Sequence, residues 1–218
     1  MIRRAFKSVR TAYTRVRRYI GYLIFERPLG LETWQPVTLR ELGLDATYGV
    51  DYEPSPWLVL RRVLSPREVG SDDVFLDFGS GKGRAVLQAA RYPFRRVIGV
   101  EISAELHQIA KRNVDRALPT VRCKNIELVN SGAQEYEVPD DVTVVYFFNP
   151  FRGPVFHDVV KNLVASLARN SRTMRIIYLN PVEEATLLVA GARVMKARRG
   201  FRPGKKWSES STVKVYEL

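Results

Sequence analysis

The sequence predicts an α/β fold, a mostly parallel sheet with helices on both faces. Three observations predict it. Short apolar runs alternate with helix-periodic stretches along most of the chain. One run, Val74-Phe75-Leu76, ends at Asp77 and enters a glycine turn, Gly79-Ser80-Gly81-Lys82-Gly83, before a helical pattern at Ala85, Val86, Leu87, Ala89 and Ala90. Val142–Phe148 (VTVVYFF) is almost wholly apolar, as in a strand buried on both faces. Strand, tight glycine turn and helix open a Rossmann-like nucleotide-binding unit. Glycine there lets backbone approach a ligand where a Cβ would clash. The helix start adds unpaired N–H groups and the positive end of a dipole.

Each element follows from its own residues. Ile2, Phe6, Val9, Tyr13, Val16, Ile20, Leu23 and Ile24 recur at mostly three- and four-residue steps, with Arg3, Arg4, Lys7, Arg10, Arg15, Arg17 and Arg18 between them. This predicts a basic amphipathic helix within a first unit, residues 1–25, suited to a membrane surface, a partner or the chain's own domain. Residues 26–54 hold Pro28, Gly30, Pro36, Gly43, Gly49 and Pro54, a loop-rich connector or lid with one short helix near Leu39–Leu42. The third unit, residues 55–218, begins with Ser55 as N-cap and Pro56 as first residue of a helix through Trp57, Leu58, Leu60, Arg61 and Leu64, stopped at Ser65-Pro66. After the glycine turn come a strand at Arg96–Val100 ended by Glu101, a helix from Ser103 to near Pro119, and a strand at Ile126–Val129. Beyond Phe148 the pattern gives a helix at Val155–Leu167, a strand at Met174–Leu179, a helix at Glu183–Ala190, and strands at Arg193–Ala197 and Thr212–Glu217. The intervening Arg198–Ser211 interleaves Phe201 and Trp207 with Arg198, Arg199, Arg202, Lys205 and Lys206, which suits either stacking with phosphate contact or a solvated hairpin loop.

Composition excludes several chemistries. One cysteine, Cys123, rules out an intrachain disulfide or thiolate cluster, and His107 and His157 lack metal-ligand spacing, so no metal is expected. No apolar run approaches the ~20 residues of a membrane span. No secretory leader is read at the start, so a cytoplasmic protein is expected. The net charge of +12 is uneven: residues 1–30 carry +7, residues 191–206 carry +7, and the rest carries −2. Two basic patches on a near-neutral core attract nucleic acid, anionic lipid or an acidic protein.

Three ligand classes compete for the glycine turn. A phosphate-gripping P-loop needs Gly and Ser/Thr where Leu76 and Gly83 stand, and is rejected. A dinucleotide fingerprint needs Gly where Arg84 stands. The third pattern, D-x-G-x-G-x-G, is met by Asp77, Gly79, Gly81 and Gly83. Here the chain resembles the class I, seven-strand, S-adenosylmethionine (SAM) dependent methyltransferases. The resemblance implies a seven-stranded, mostly parallel sheet with an antiparallel last strand. It also implies SAM as cofactor. The turn, with Asp77, Gly79, Ser80, Gly81 and Gly83, would wrap the methionine and ribose. Glu101, with Ile102 beside it, would take the ribose hydroxyls. Tyr48, Asp51, Tyr52 and Ser55 would lie on a lid. The family's usual adenine-reading Asp is replaced at Asn130-Ser131-Gly132-Ala133; Asn130, Ser131 or Gln134 and the backbone near Ala133 are left for that task. Asp77, Glu101, Asn130 and Asn149 all close strands, and open α/β sheets bind ligands at that edge.

Asn149-Pro150-Phe151 resembles the Asn/Asp-Pro-Pro-Tyr/Phe motif of methyltransferases acting on nitrogen, without the second proline. The resemblance implies that Asn149 accepts an N–H bond and orients the nitrogen, and that Phe151 stacks on the substrate. LDFGSGKGR, VIGVE and the strand-end Asn also resemble Dot1-type and mitochondrial-type lysine methyltransferases over roughly residues 48–180. A lysine acceptor needs a desolvating wall, for which Tyr48, Tyr52, Tyr146, Phe148 and Phe151 are candidates, and Asp51 and Glu53 are candidate bases. A protein amine is the first expected acceptor, RNA or DNA the second. A non-catalytic SAM- or nucleotide-binding module is the alternative of a different class.

Overall fold

A computed structural model of the protein describes residues 14–44, 47, 49–199 and 212–218. Seven strands form one sheet: β1 (Val74–Phe78), β2 (Arg96–Glu101), β3 (Ile126–Asn130), β4 (Val144–Phe147), β5 (Arg175–Leu179), β6 (Arg193–Arg198) and β7 (Val213–Glu217). Their order is β3-β2-β1-β4-β5-β7-β6. The first five pair in parallel, and β7 inserts antiparallel between β5 and β6. The sequence reversal at β1, between β2 and β4, places a crevice at the carboxyl ends of these strands.

Alternation along β1 divides the core. Phe75 joins a cluster with Ala85, Val86 and Leu87 from α1 (Arg84–Ala89) and Val114 from α2 (Ala104–Ala117). Val74, Leu76 and Phe78 face the opposite way, onto Phe156, Val159 and Leu163 of α3 (Pro154–Arg169) and Leu187 of α4 (Glu184–Val189). Ser103 caps α2, accepting from the Leu106 N–H, as its spacing predicts.

The region before β1 departs from expectation. The described part of the N-terminal segment is α-helical over 14–21, then winds on as a π turn at Tyr22–Glu26 and a 3₁₀ turn at Arg27–Leu29. Residues 2–13 of the expected helix lie outside the described residues. The stretch near Leu39–Leu42 is hydrogen-bonded turn, not helix. The helix expected from Ser55 does not form: only Leu60–Arg62 makes a 3₁₀ turn. Leu58 sits at φ 66°, which breaks any helix there. The Ser55 hydroxyl meets Tyr146 Oη at 3.0 Å instead of capping. Ser65-Pro66 is not a stop but a start, the capping box of a 3₁₀ turn at Pro66–Glu68.

One buried ion pair fastens this segment to the sheet. Arg84, first residue of α1, donates from Nη2 to Glu26 Oε1 at 2.6 Å, from Nε to Thr33 Oγ1 at 2.8 Å and from Nη1 to the Ser55 carbonyl at 3.1 Å. Glu26 also accepts from the Thr33 N–H and the Trp57 indole. Both side chains are essentially out of water, at 5% and 0% exposure. Removing one partner strands a buried charge. Glu26→Gln is expected to lower unfolding free energy by about 3–5 kcal/mol in urea titrations. Glu53→Gln, which breaks the more exposed Arg18–Glu53 pair, is expected to cost at most about 1 kcal/mol. Equal small losses contradict this assignment.

Candidate functional site

The glycine turn is tied to the end of β2. Gly79, Gly81 and Gly83 have φ of 72°, 55° and 84°, where side-chain-bearing residues are strained. The Gly79 and Ser80 N–H groups both donate to the Val100 carbonyl, at 2.9 and 3.0 Å. Glu101 completes the junction: Oε2 accepts from the Gly81 N–H at 2.8 Å and Oε1 from the Ser103 N–H at 2.9 Å. Each oxygen keeps a lone pair for a further donor.

The bare backbone of the turn is covered by the chain itself. A Cβ at Gly79 would lie 2.3 Å from Pro150 Cβ, and one at Gly81 2.2 Å from the Tyr52 ring. Gly83 serves helix packing, since its Cβ would meet Ala110 at 3.3 Å. Tyr52 is held over the turn by donating its hydroxyl to the Thr33 carbonyl at 2.9 Å. The lid is thus a closed strap, with Tyr52 bridged to Val37 on the connector. Tyr48 lies outside the described residues.

Two cavities adjoin here. The first, about 270 Å³, receives Asp77, Ser80, Glu101 and Asn149 beside an apolar wall that includes Ile102 and Ala133. Gly79, Tyr52, Ser55 and Phe151 also line it. The second, about 850 Å³, is walled by the N-terminal segment, with Arg15, Arg17, Arg18 and Phe25 opposite Trp57 and Asn180. Residues 50–53, Arg84, Phe148 and Asn149 line both. Pro150 and Phe151 line the first only.

Polar groups are buried at this junction. Ser80 Oγ and Asn149 Oδ1 are buried and unpaired. Asp77 is 3% exposed and accepts no hydrogen bond among the described residues. Burial, and then the neighbouring Glu101 carboxylate, push the Asp77 carboxyl well above the usual range. Burial also raises Glu101, against the pull of its backbone N–H donors. Buried polar groups left open in this way need an explanation, and a polar ligand supplies one.

Several expected residues are elsewhere. Asn130 stays off both cavity walls, because its amide donates to the carbonyls of Glu101 and Ile102 at 2.8 and 3.0 Å. Ser131, Ala133 and Gln134 remain at the first cavity. Phe151 packs among Phe78, Phe147 and Phe156 and lines the first cavity only, whereas Phe148 lines both. Glu53 is engaged by Arg18, and Asp51 accepts the Leu39 N–H at 2.9 Å, so neither is an unengaged base. Phe201, Arg202, Lys205, Lys206 and Trp207 lie outside the described residues. Arg84 was legible only as a residue that spoiled a dinucleotide pattern; its position on a helix whose six residues are all buried is what marks it. Among the described residues no cluster of three or more potential metal ligands occurs, and no helix is long and apolar enough to cross a membrane.

Comparison with known proteins agrees with this geometry. Residues 75–172 match a family described as "Methyltransferase domain". A protein-lysine N-methyltransferase of Saccharolobus islandicus is 31% identical over 99 residues, 45% of this chain and 60% of that protein. A "Probable ribosomal RNA small subunit methyltransferase A" of Methanopyrus kandleri is 33% identical over 96 residues, 43% of this chain and 31% of that protein. The match thus spans less than two thirds of either relative. Among solved structures, precorrin 8w decarboxylase of Methanobacterium thermoautotrophicum superposes with a TM-score of 0.52 at 22% identity, over 76% of this chain and 91% of that one, a likeness of fold.

Two outcomes follow from the turn and its neighbours. Gly81→Ala is expected to destabilise by at least about 1–2 kcal/mol, from its left-handed backbone and the clash with Tyr52. In the Tyr52→Ala background part of that cost disappears, a coupling of about 1 kcal/mol in a denaturation cycle; strict additivity contradicts the contact. For Asp77 the sign runs with pH. An unfolded carboxyl ionises near pH ~4, whereas the folded one resists ionisation, so its contribution to stability falls as pH rises from there through the raised folded value. Asp77→Asn is therefore expected to melt above the native chain at pH 7 and to lose that advantage toward pH 4. A lower midpoint at pH 7 contradicts the assignment.

Proposed function

Starting from residues 75–172 as a class I SAM-dependent methyltransferase domain, we propose that the chain methylates nitrogen, with a protein lysine amine as acceptor. The carrying observation is Asn149 Oδ1, a buried and unpaired acceptor on the wall that the two cavities share. The first cavity suits SAM. Asp77 would meet the cationic methionine end, Glu101 the ribose hydroxyls, and Ile102 and Ala133 the flat adenine. Ser80, Gly79, Tyr52 and Ser55 complete that wall, while Gly81, Gly83 and Asn130 hold its shape. SAM supplies a methyl group on a sulfonium, so neither metal nor covalent enzyme adduct is required.

The second cavity would take the acceptor. An amine entering it donates one N–H to Asn149 Oδ1, which aims the nitrogen lone pair at the first cavity. With SAM bound, the amine lone pair would take the methyl group as the C–S bonding pair stays on sulfur, and the proton left on nitrogen would pass to solvent. Lysine must first lose its ammonium proton, which costs about 4.6 kcal/mol at pH 7 from a pKa near 10.4. The arginines and the apolar Phe25, Trp57 and Phe148 disfavour an ammonium there and lower that cost, with Asp51 and Glu53 on the same wall offsetting part of the effect. On this reading residues 55–218 are the catalytic unit, the described part of unit 1–25 contributes acceptor wall, and unit 26–54 contributes the strap through Tyr52.

The lysine methyltransferase relative supports this acceptor. The ribosomal RNA relative favours a second reading, an exocyclic base amine held by the same Asn149. Radiolabelled SAM offered with protein and RNA acceptors separates them by where label appears. Asn149→Ala is expected to lower kcat about 100-fold with SAM affinity nearly unchanged. Undiminished turnover removes Asn149 from the reaction.

A further inference from the structure

The N-terminal segment has two faces, and the acceptor cavity uses one. Arg17, Arg18, Gly21 and Phe25 line that cavity. The other face carries large apolar side chains into solvent: Val16 is 57% exposed, Tyr19 55% and Ile24 60%, while Ile20, 49% exposed, stands at the border and also lines the cavity. Steps of three and four residues put Val16, Tyr19 and Ile20 on one side of the α-helical part, with Ile24 four residues on. Arg15, also exposed, borders the stripe. In sequence the same step continues upstream through Ile2, Phe6, Val9 and Tyr13, with Arg3, Arg4, Lys7 and Arg10 between them. A contiguous exposed apolar stripe marks an interaction surface.

We infer that this outer face docks on an anionic lipid bilayer, with the helix lying in the interface plane. The occupant has to offer hydrocarbon to the stripe and negative charge to its margins at once. A bilayer with acidic headgroups does both. Nucleic acid complements the cations and leaves the stripe wet. A second copy of this chain, or its own Arg198–Ser211 stretch with Arg202, Lys205 and Lys206, brings like charge to the arginines. Among the described residues no helix is long and apolar enough to cross a bilayer, and the helix would lie on the surface. The inference is independent of which acceptor is methylated.

Co-sedimentation of the full chain with vesicles tests it. Phosphatidylcholine vesicles containing phosphatidylglycerol are expected to bind the protein, and pure phosphatidylcholine vesicles to bind it about tenfold more weakly. Val16→Asp and Ile24→Asp, both at exposed sites, are expected each to weaken binding to the acidic vesicles about tenfold while SAM affinity in calorimetry stays unchanged. Arg199→Glu, on the other basic patch, is expected to leave binding nearly intact. Absence of vesicle binding overturns the inference. So does binding that both Asp variants retain, which reports electrostatic adhesion through another surface, and so does a dimer that Ile24→Asp dissolves without vesicle binding.

Discussion

The buried guanidinium of Arg84 is the constraint on which the rest depends. It follows the glycine turn directly, so whatever it holds is held in register with that turn. It holds three things: the end of the N-terminal segment through Glu26, the connector through Thr33, and the strap through the Ser55 carbonyl. The Trp57 ring lies 5.1 Å from its charge centre and closes the remaining side. A buried ion pair stabilises little by itself, because desolvation offsets most of the attraction. Its value here is geometric. With Nε, Nη1 and Nη2 each directed to a different segment, the walls of the two cavities keep a fixed relation.

That relation divides the labour of the site. Asp77 and Glu101 line the small cavity, Arg15, Arg17 and Arg18 line the large one, and Asp51, Glu53 and Arg84 line both. Asn149 stands between, at φ 44°, a strained angle for a residue with a side chain. Asn180, at φ 57°, repeats the device after β5 and also borders the large cavity. Strain of this kind persists where the surroundings over-determine it, which is common at working sites. Pro150 packing on Gly79 is part of that determination, so the two motifs read separately in the sequence are one packed unit.

The centre of the sheet was legible because β1, β2, β4 and β5 are buried on both faces and read as apolar runs with a polar residue at or just past the end. Asp77, Glu101 and Asn149 were singled out that way, and one cavity at the strand ends is lined by all three. What escaped was non-local. Nothing near Leu58 announces its left-handed backbone, and the Ser55-Pro56 pair imitates a helix start while Ser55 is drawn to Tyr146. Asn130 looked like a ligand residue, yet the carbonyls of Glu101 and Ile102 claim its amide from across the sheet edge. The glycines were rightly read as places where a Cβ cannot fit, but at Gly79 and Gly81 the body in the way is Pro150 or Tyr52. Arg84 and Glu26 are 58 positions apart, and no spacing rule connects them.

A co-crystal structure with S-adenosylhomocysteine and a lysine peptide bears most directly on the two-cavity arrangement. The expected result has the nucleoside against Glu101 and Ile102, the amino-acid end at Asp77, and the lysine nitrogen approaching the sulfur across Asn149 from the arginine-lined side. A nucleoside bound elsewhere, or a sulfur turned away from Asn149, contradicts it.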